Sequence, residues 1–210
     1  MAMRLILASA SPRRAELLRQ SGYPFEVRVP PYAEPDPQSP RLSPYEHAEA
    51  SSYFKARSVA AGLREGLVLA ADTIVAYAGR IFGKPADADD ARSILLVLAG
   101  TTHEVITGVT LLDAASGRRV IRHDVTRVTM RAMPPAALER YIAGGAWQGK
   151  AGAYGIQDNG DAFVERIDGS FSNVVGLPME LLARMLEEFG WAEPKAAATA
   201  GLAQKPPPRE

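Results

Sequence analysis

An acidic residue inside an apolar segment is the first feature of this sequence that points to chemistry. Asp72 lies in the run LVLAADTIVAY, residues 67–77, which otherwise has the composition of a buried strand. An ionised carboxylate there costs several kcal/mol unless a cation or hydrogen-bond donors compensate it. Asp72 is therefore a candidate metal ligand or general base, and the alternative is an acid satisfied by backbone groups at a strand end. Thr73 follows directly and would point to the opposite face of a regular strand.

A second candidate site is the segment SASPRR, residues 9–14, where an apolar run leads into a predicted helix start. Free backbone N–H groups and the helix dipole make this point electropositive. Arg13 and Arg14 in the first helical turn add like charge, which is unfavourable unless an anion binds there, and a polyphosphate would fit. Ser9 offers a further hydroxyl donor. The alternative interpretation is two solvated arginines on a surface helix.

Two lysines are candidate phosphate ligands. Lys84 stands in the tripeptide GKP, residues 83–85, just after the turn that follows the acidic strand. Lys55 lies beside the apolar stripe of a predicted helix. Either ammonium group could bind phosphate oxygens as a point charge. Solvation of Lys84 and snorkelling of Lys55 are the ordinary alternatives.

A fourth candidate is the segment KAGAYGIQ, residues 150–157. Its small residues would let the backbone approach a flat ligand, and the Gln157 amide could both donate to and accept from a base edge. A structural glycine-rich turn is the alternative. Residues 144–150 also match the opening of a Walker A loop, but Ala151 replaces the required hydroxyl residue and a helix precedes the segment, so we reject that interpretation.

The elements that must position these side chains follow from hydrophobic periodicity and from helix start and stop signals. Strands are predicted at residues 4–8, 67–77, 81–82, 104–112, 120–130 and 162–167. Helices are predicted to begin after a capping Ser11, at the capping box of Ser43 and Glu46, and near residues 89, 134 and 178, with a proline-rich connector at 24–40. This mixed order indicates an α/β or α+β fold around one sheet.

Composition narrows the range of partners. The 24 basic and 24 acidic side chains balance, which argues against binding of nucleic acid or an anionic membrane through overall charge. The absence of cysteine excludes disulfides, thiolate zinc sites and cysteine nucleophiles. The apolar run at residues 5–8 is too short for a signal peptide, and no segment reaches the roughly 20 apolar residues of a membrane span, so we expect a cytoplasmic protein.

One folded domain is expected over residues 1–192. Residues 193–210 are mainly Ala, Pro and Lys without a core-forming pattern, which predicts a disordered tail. The histidines His47, His103 and His123 lack the spacing of metal ligands, and ordinary core or surface roles are expected for them.

Taken together, the segments resemble the Maf family from about residue 4 to residue 189. The resemblance is carried by residues 9–14, 55–56, 71–73, 83–85, 100–109, 150–157 and 173–178. It implies a two-lobed α/β fold with a deep cleft, similar to that of inosine triphosphate pyrophosphatases and often assembled as a homodimer. It also implies hydrolysis of nucleoside triphosphates to the monophosphate and pyrophosphate with Mg²⁺ or Mn²⁺. The family is associated with arrest of cell division.

Within the family, Arg13, Thr73 and Gln157 match the branch that prefers dTTP and UTP. Two departures from the family pattern concern the metal and the base. The adjacent acidic pair common after the first helix is here Ala33-Glu34, which leaves Glu34 as the candidate partner of Asp72 in metal binding, and Asp158 stands where glycine is usual.

The resulting hypothesis is that Asp72 and Glu34 hold a divalent ion and that Asp72 orients or deprotonates the attacking water. The triphosphate would be bound by Ser9, Arg13, Arg14, Lys55 and Lys84. Two rival functions use the same cations: a nucleotide-binding regulator of cell division that does not cleave its ligand, and a phosphatase that releases orthophosphate from the γ position. Asp72 favours catalysis, because a pure phosphate binder gains nothing from an anion beside its ligand unless a metal is present.

Overall fold

The computed structural model describes residues 3–31, 42–156 and 163–191, and the predicted tail at 193–210 lies outside these ranges. In chain order the elements are β1 (Leu5–Leu7), α1 (Pro12–Gln20), β2 (Phe25–Val27), α2 (Pro44–Ala60), β3 (Leu67–Tyr77), β4 (Arg80–Phe82), α3 (Ala88–Leu98), β5 (Thr102–Asp113), β6 (Arg119–Met130), α4 (Pro135–Ala143), β7 (Val164–Asp168), α5 (Phe171–Val175) and α6 (Met179–Phe189).

The strands form one mixed sheet in the order β2-β1-β3-β5-β6-β7, with β4 paired to β3. Strand β1 runs parallel to both β2 and β3, and all other pairs are antiparallel. The strands predicted at residues 67–77, 104–112 and 120–130 form the long antiparallel ladder of β3, β5 and β6. The mixed α/β class is confirmed.

Helices cover both faces of the sheet, and the alternation of side chains in the strands decides which helix each residue meets. Even-numbered β3 residues such as Val68, Ala70 and Ile74 pack in the clusters under α2. Odd-numbered residues such as Leu67 and Leu69 pack in the larger core with α1, α3, α4 and α6. Asp72 and Thr73 follow the same alternation and leave β3 on opposite faces, as the sequence predicts.

The helices begin close to the predicted positions. The Ser43–Glu46 capping box at the start of α2 is confirmed. The capping role predicted for the Ser11 hydroxyl is wrong: Ser11 occupies the N-cap position of α1 without a side-chain cap bond, and its backbone N–H instead donates to Ser9 Oγ at 3.1 Å. None of the described helices combines the length and apolar character needed to cross a membrane.

The sequence analysis missed two short elements. Strand β2 lies inside the segment predicted as a proline-rich connector, and the five-residue helix α5 was not predicted. Strand β2 is half-exposed and forms its ladder with β1, a partner about twenty residues away. Three residues are too few to show a hydrophobic period. The stability of β2 comes instead from its pairing with a distant strand, which the local sequence does not reveal.

Gly108 sets the distance between α2 and the sheet. A β-carbon at this position would lie 2.2 Å from the carbonyl oxygen of Ala48 and 2.7 Å from the backbone nitrogen of Glu49. Only glycine lets the α2 backbone approach β5 so closely. Gly108 is also the cross-strand neighbour of Asp72, so the close approach occurs beside the buried acid.

We therefore expect Gly108→Ala to push α2 away from the sheet and to lower the free energy of unfolding by about 1–3 kcal/mol or more, the usual cost of overpacking. Gly62→Ala is the control, because a β-carbon there meets only the Val59 carbonyl oxygen at 3.7 Å. Urea unfolding of both variants measures the difference. Equal stability of the two variants would show that α2 can shift without cost.

A buried pair of rings fixes the segment after α4 to the sheet. His103 Nε2 on β5 lies 2.6 Å from the Tyr154 hydroxyl, and the two rings meet edge to face. Both side chains are buried, and His103 Nδ1 has no hydrogen-bond partner among the described residues. Desolvation lowers the pKa of His103 to about 4 and raises the pKa of Tyr154. Both groups are therefore neutral at pH 7.

The depressed pKa of His103 makes stability depend on pH. The unfolded chain takes up this proton near its ordinary pKa of about 6.5, whereas the folded chain does so only near pH 4. The free energy of unfolding should therefore fall by about 3 kcal/mol from this residue as the pH drops from 6.5 to 4. Denaturant titrations across this range should give a steeper pH dependence for the unchanged protein than for His103→Gln. Parallel curves would contradict the assignment.

Candidate active site

A cavity of about 570 Å³ opens where β3 lacks a neighbouring strand. On one side β3 pairs with β1 through residues 67–69 and with β4 through residues 75–77. Between them, residues 70–74 meet no strand on that side within the described chain. Side chains from both faces of β3 therefore reach one cavity, and Asp72 and Thr73 both line it. The carboxyl end of β1 and the start of α1 border the same opening, a common ligand position in sheets of this kind.

The deepest charged contact of the cavity is the ion pair between Lys55 and Asp72. Lys55 Nζ on α2 lies 2.5 Å from Asp72 Oδ1, and the two side chains are only 8% and 11% exposed. Each charge depends on the other, because an unpaired charge at such a depth costs several kcal/mol. The lysine that resembled a snorkelling side chain in the sequence is thus the direct partner of the buried acid.

Arg14 joins three parts of the cavity wall. Its Nε donates to the Gly176 carbonyl oxygen at 2.7 Å, its Nη1 to Ser9 Oγ at 3.3 Å and its Nη2 to Thr73 Oγ1 at 3.0 Å. The sequence suggested a phosphate ligand at this position. The observed contacts indicate that the main role of Arg14 is structural: its guanidinium links α1, β3 and the turn that follows α5.

Thr73 continues this polar network into the sheet. Its hydroxyl lies 2.9 Å from Thr107 Oγ1 on β5, and the Thr107 hydroxyl in turn contacts the backbone carbonyl oxygen of Asn173 at 3.3 Å. The fully buried Asn173 amide donates to Val105 O and Thr126 Oγ1. A residue at the cavity surface is thereby held in place through three strands.

Three further cations line the cavity. Arg13 donates to the Gly149 carbonyl oxygen at 3.1 Å and so ties α1 to the segment after α4. Lys84 is exposed at the rim, while Lys150 is buried. The Lys150 side chain lies across Gly155, where a β-carbon would be 2.9 Å from Lys150 Cδ. Glycine at 155 is thus what makes room for the Lys150 side chain.

The balance of charge in the cavity is strongly positive. Five cationic side chains line it: Arg13, Arg14, Lys55, Lys84 and Lys150. Asp72 is the one carboxylate among the described lining residues. Within the described ranges no cluster of three or more His, Asp or Glu side chains could hold a metal ion by itself. The arrangement suits a polyanion, with a single acid placed among its ligands.

The structure brings together seven of the nine residues that the sequence singled out. Ser9, Arg13, Arg14, Lys55, Asp72, Thr73 and Lys84 all line the cavity. Glu34 and Gln157 lie outside the described residues, so the proposed metal partner and the proposed base-reading amide stay predictions.

Three further polar residues line the cavity that the sequence analysis did not single out: His47, Ser51 and Lys150. Lys150 belongs to a segment that had been noted only for its glycines and its glutamine. His47 and Ser51 stand eight and four residues before Lys55, a spacing that places all three on one face of a helix. That spacing was the available signal.

Solved structures give only remote likenesses. A nucleoside-triphosphatase described as a dITP/XTP pyrophosphatase from Mycobacterium abscessus is 15% identical, with a TM-score of 0.44 and 90% of this chain and 97% of that chain covered. A HAM1 protein from Coxiella burnetii is 18% identical at the same TM-score, with 89% and 99% covered. Likenesses of this degree support no statement about chemistry.

Sequence relatives are much nearer. A dTTP/UTP pyrophosphatase from Pelotomaculum thermopropionicum is 43% identical over 187 residues, which are 89% of this chain and 97% of the relative. A dTTP/UTP pyrophosphatase from Nitratidesulfovibrio vulgaris is 49% identical over 189 residues, with 89% and 88% covered. The family model described as Maf-like protein matches residues 4–189. The chain therefore belongs to the Maf family.

Proposed function

We propose that the protein hydrolyses nucleoside triphosphates to the monophosphate and pyrophosphate, with dTTP and UTP as preferred substrates. The observation that carries the proposal is the buried Asp72–Lys55 pair inside a cavity lined with cations. The activity in the names of the relatives supports it. The cytoplasmic location and the homodimer stay predictions.

Asp72 favours an enzyme over a nucleotide-binding regulator. A carboxylate repels phosphate oxygens and so weakens a simple polyanion site. The presence of Asp72 in the cavity is explained if its carboxylate orients a water molecule and accepts a proton from it as the water attacks phosphorus. Attack on the α-phosphorus breaks the bond to the bridging oxygen, and pyrophosphate leaves with the electron pair of that bond.

The cations supply position and charge rather than covalent chemistry. Phosphoryl transfer depends mainly on holding the phosphates in line with the attacking water and on stabilising charge on the leaving group. Lys84 and Lys150 line the cavity and would bind phosphate oxygens. Lys55 keeps its contact with Asp72 and so holds the carboxylate in one position. Arg14 keeps Ser9 and Thr73 in place around the substrate.

A divalent cation belongs to the proposal. Mg²⁺ and Mn²⁺ fit the donor set, because hard ions are often held by one or two carboxylates together with substrate phosphates and water. Zinc requires three or four protein ligands, and the described residues offer no such cluster. Asp72, with Glu34 as the proposed second acid, would hold the ion. When bound, the ion supplies positive charge that stabilises the phosphoryl oxygens.

Selection of the pyrimidine base is assigned in the proposal to Arg13, Thr73 and Gln157. The first two lie at the cavity, and Thr73 is fixed there by Arg14 and Thr107. A polar group in the site discriminates between bases because a mismatched base leaves that group unpaired. A rigid group discriminates better than a mobile one, since it cannot move to find another partner. This network supports a role for Thr73 in specificity.

Product analysis tests the reaction. With dTTP or UTP and Mg²⁺, we expect equal amounts of monophosphate and pyrophosphate, and slower turnover of GTP. In water labelled with ¹⁸O, the label should enter the monophosphate, because the attack is on the α-phosphorus. Diphosphate with orthophosphate would instead indicate the γ-phosphatase, and nucleotide binding without any product would indicate the regulator.

Asp72→Asn should lower kcat by at least about a hundredfold, the usual range for loss of a general base. The fold should persist at a lower Tm, because the asparagine oxygen can still accept a hydrogen bond from Lys55 but no longer compensates the buried ammonium charge. Asp89→Asn is the matched control, since the Asp89 side chain is 91% exposed on α3. Circular dichroism checks folding and steady-state kinetics check turnover. Near-normal turnover of Asp72→Asn would remove Asp72 from the chemistry.

Removing the metal should abolish turnover without destabilising the protein. In the structure Lys55 already compensates Asp72, so the fold does not require a divalent ion. We expect a chelator to stop hydrolysis of dTTP, Mg²⁺ or Mn²⁺ to restore it, and the Tm to change little. Full activity in excess chelator would refute the metal requirement, and a large fall in Tm would indicate a structural ion instead.

A further inference from the structure

One face of α2 presents a row of buried polar side chains to the cavity. His47, Ser51 and Lys55 are spaced four residues apart and all three line the cavity. Their exposed fractions are 6%, 1% and 7%. Residues spaced four apart lie above one another on a helix, so the row is continuous.

Two members of the row have no side-chain hydrogen-bond partner among the described residues. Lys55 binds Asp72, whereas the His47 ring and the Ser51 hydroxyl make no hydrogen bond within the part of the chain the structure describes. Among the described residues, the fully buried side-chain polar atoms without a partner belong to His103 and Asn173, so the polar atoms of His47 and Ser51 are open to the cavity. Two such groups on adjacent turns, both lining the same cavity, are placed to donate hydrogen bonds to a ligand there.

The row lies in the half of the cavity that contains Asp72. Ala48, the neighbour of His47, packs on Gly108, and Gly108 is the cross-strand partner of Asp72. The other half is formed by Arg14, Thr73 and the Gly176 carbonyl oxygen, which already bond to one another.

The chemistry of this half is that of a donor surface. Lys55 carries a positive charge, a serine hydroxyl donates, and a histidine ring carries at least one N–H donor whatever its tautomer. The carboxylate of Asp72 is engaged by Lys55. Such a surface matches phosphate oxygens, which only accept hydrogen bonds, better than the mixed edge of a nucleobase.

We propose that His47 and Ser51 are substrate-binding residues that donate hydrogen bonds to the triphosphate chain. This role rests on the proposed function and extends its phosphate-binding surface from the lysines to the first half of α2. It replaces the ordinary core role that the sequence analysis expected for His47.

Inorganic tripolyphosphate is the probe, because it contains the three phosphate groups without a nucleoside. By calorimetry with Mg²⁺, His47→Leu and Ser51→Ala should each raise its Kd by about tenfold to a hundredfold, as expected for loss of a hydrogen bond to a charged ligand. The Kd of thymidine, which has no phosphate, should not change. Unchanged tripolyphosphate binding in both variants, or a selective loss of thymidine binding, overturns the proposal.

Ser52→Ala is the matched control for Ser51→Ala. Ser52 is equally buried on α2, but its hydroxyl lies 2.8 Å from both the Glu49 carbonyl oxygen and Thr110 Oγ1. We expect opposite effects from the two neighbours. Ser52→Ala should lower the Tm and leave tripolyphosphate binding intact, whereas Ser51→Ala should weaken binding and leave the Tm of the unliganded protein nearly unchanged.

Stability also separates ligand binding from a structural role of His47. Replacing an unpaired buried polar group with an apolar side chain of similar size sacrifices no hydrogen bond. The unliganded His47→Leu protein should therefore have a Tm equal to or above that of the unchanged protein. A clear fall in Tm would make His47 a structural residue. Because binding of the probe is measured separately from nucleotide turnover, weakened binding without any nucleotide turnover would refute the proposed function and leave the phosphate-binding role of His47 and Ser51 standing.

Discussion

The buried ion pair between Lys55 and Asp72 is the interaction on which the site depends. A buried acid in the middle of a central strand is tolerated only with a compensating charge. Lys55 supplies that charge from α2, the helix that covers the face of the sheet on which Asp72 lies. The helix reaches the strand because Gly108 has no side chain to keep it away. Packing and chemistry are thus linked at one point: the close contact of α2 with Gly108 also brings Lys55 to Asp72.

The gap beside β3 explains how residues on opposite faces of a sheet reach one ligand. Side chains that alternate along a strand are normally separated by the sheet itself. Where β1 has ended and β4 has not begun, the edge of β3 is open and the cavity extends to both faces. Asp72 then borders the half covered by α2, and Thr73 borders the half held by Arg14.

The sequence predicted the features that leave a local signal. Asp72 is conspicuous because it is charged within an apolar run, and the start of α2 is specified by its own capping box. Strand β2 left no such signal, because its stability comes from pairing with β1. The spacing of His47 and Ser51 was only a weak signal, because polar residues four apart on a helix usually mark a solvated face. Only the packing of α2 against β3 and β5 shows that this face is enclosed.

The shortness of β1 has a consequence for how this protein can change over time. Each additional residue paired between β1 and β3 would add ladder hydrogen bonds, and the fold would gain stability from them. The same extension would cover residues 70–74 of β3 and fill the opening that both faces share. Substitutions that lengthen the strand would therefore stabilise the fold and close the cavity, so the three-residue length of β1 keeps the opening at the expense of ladder hydrogen bonds.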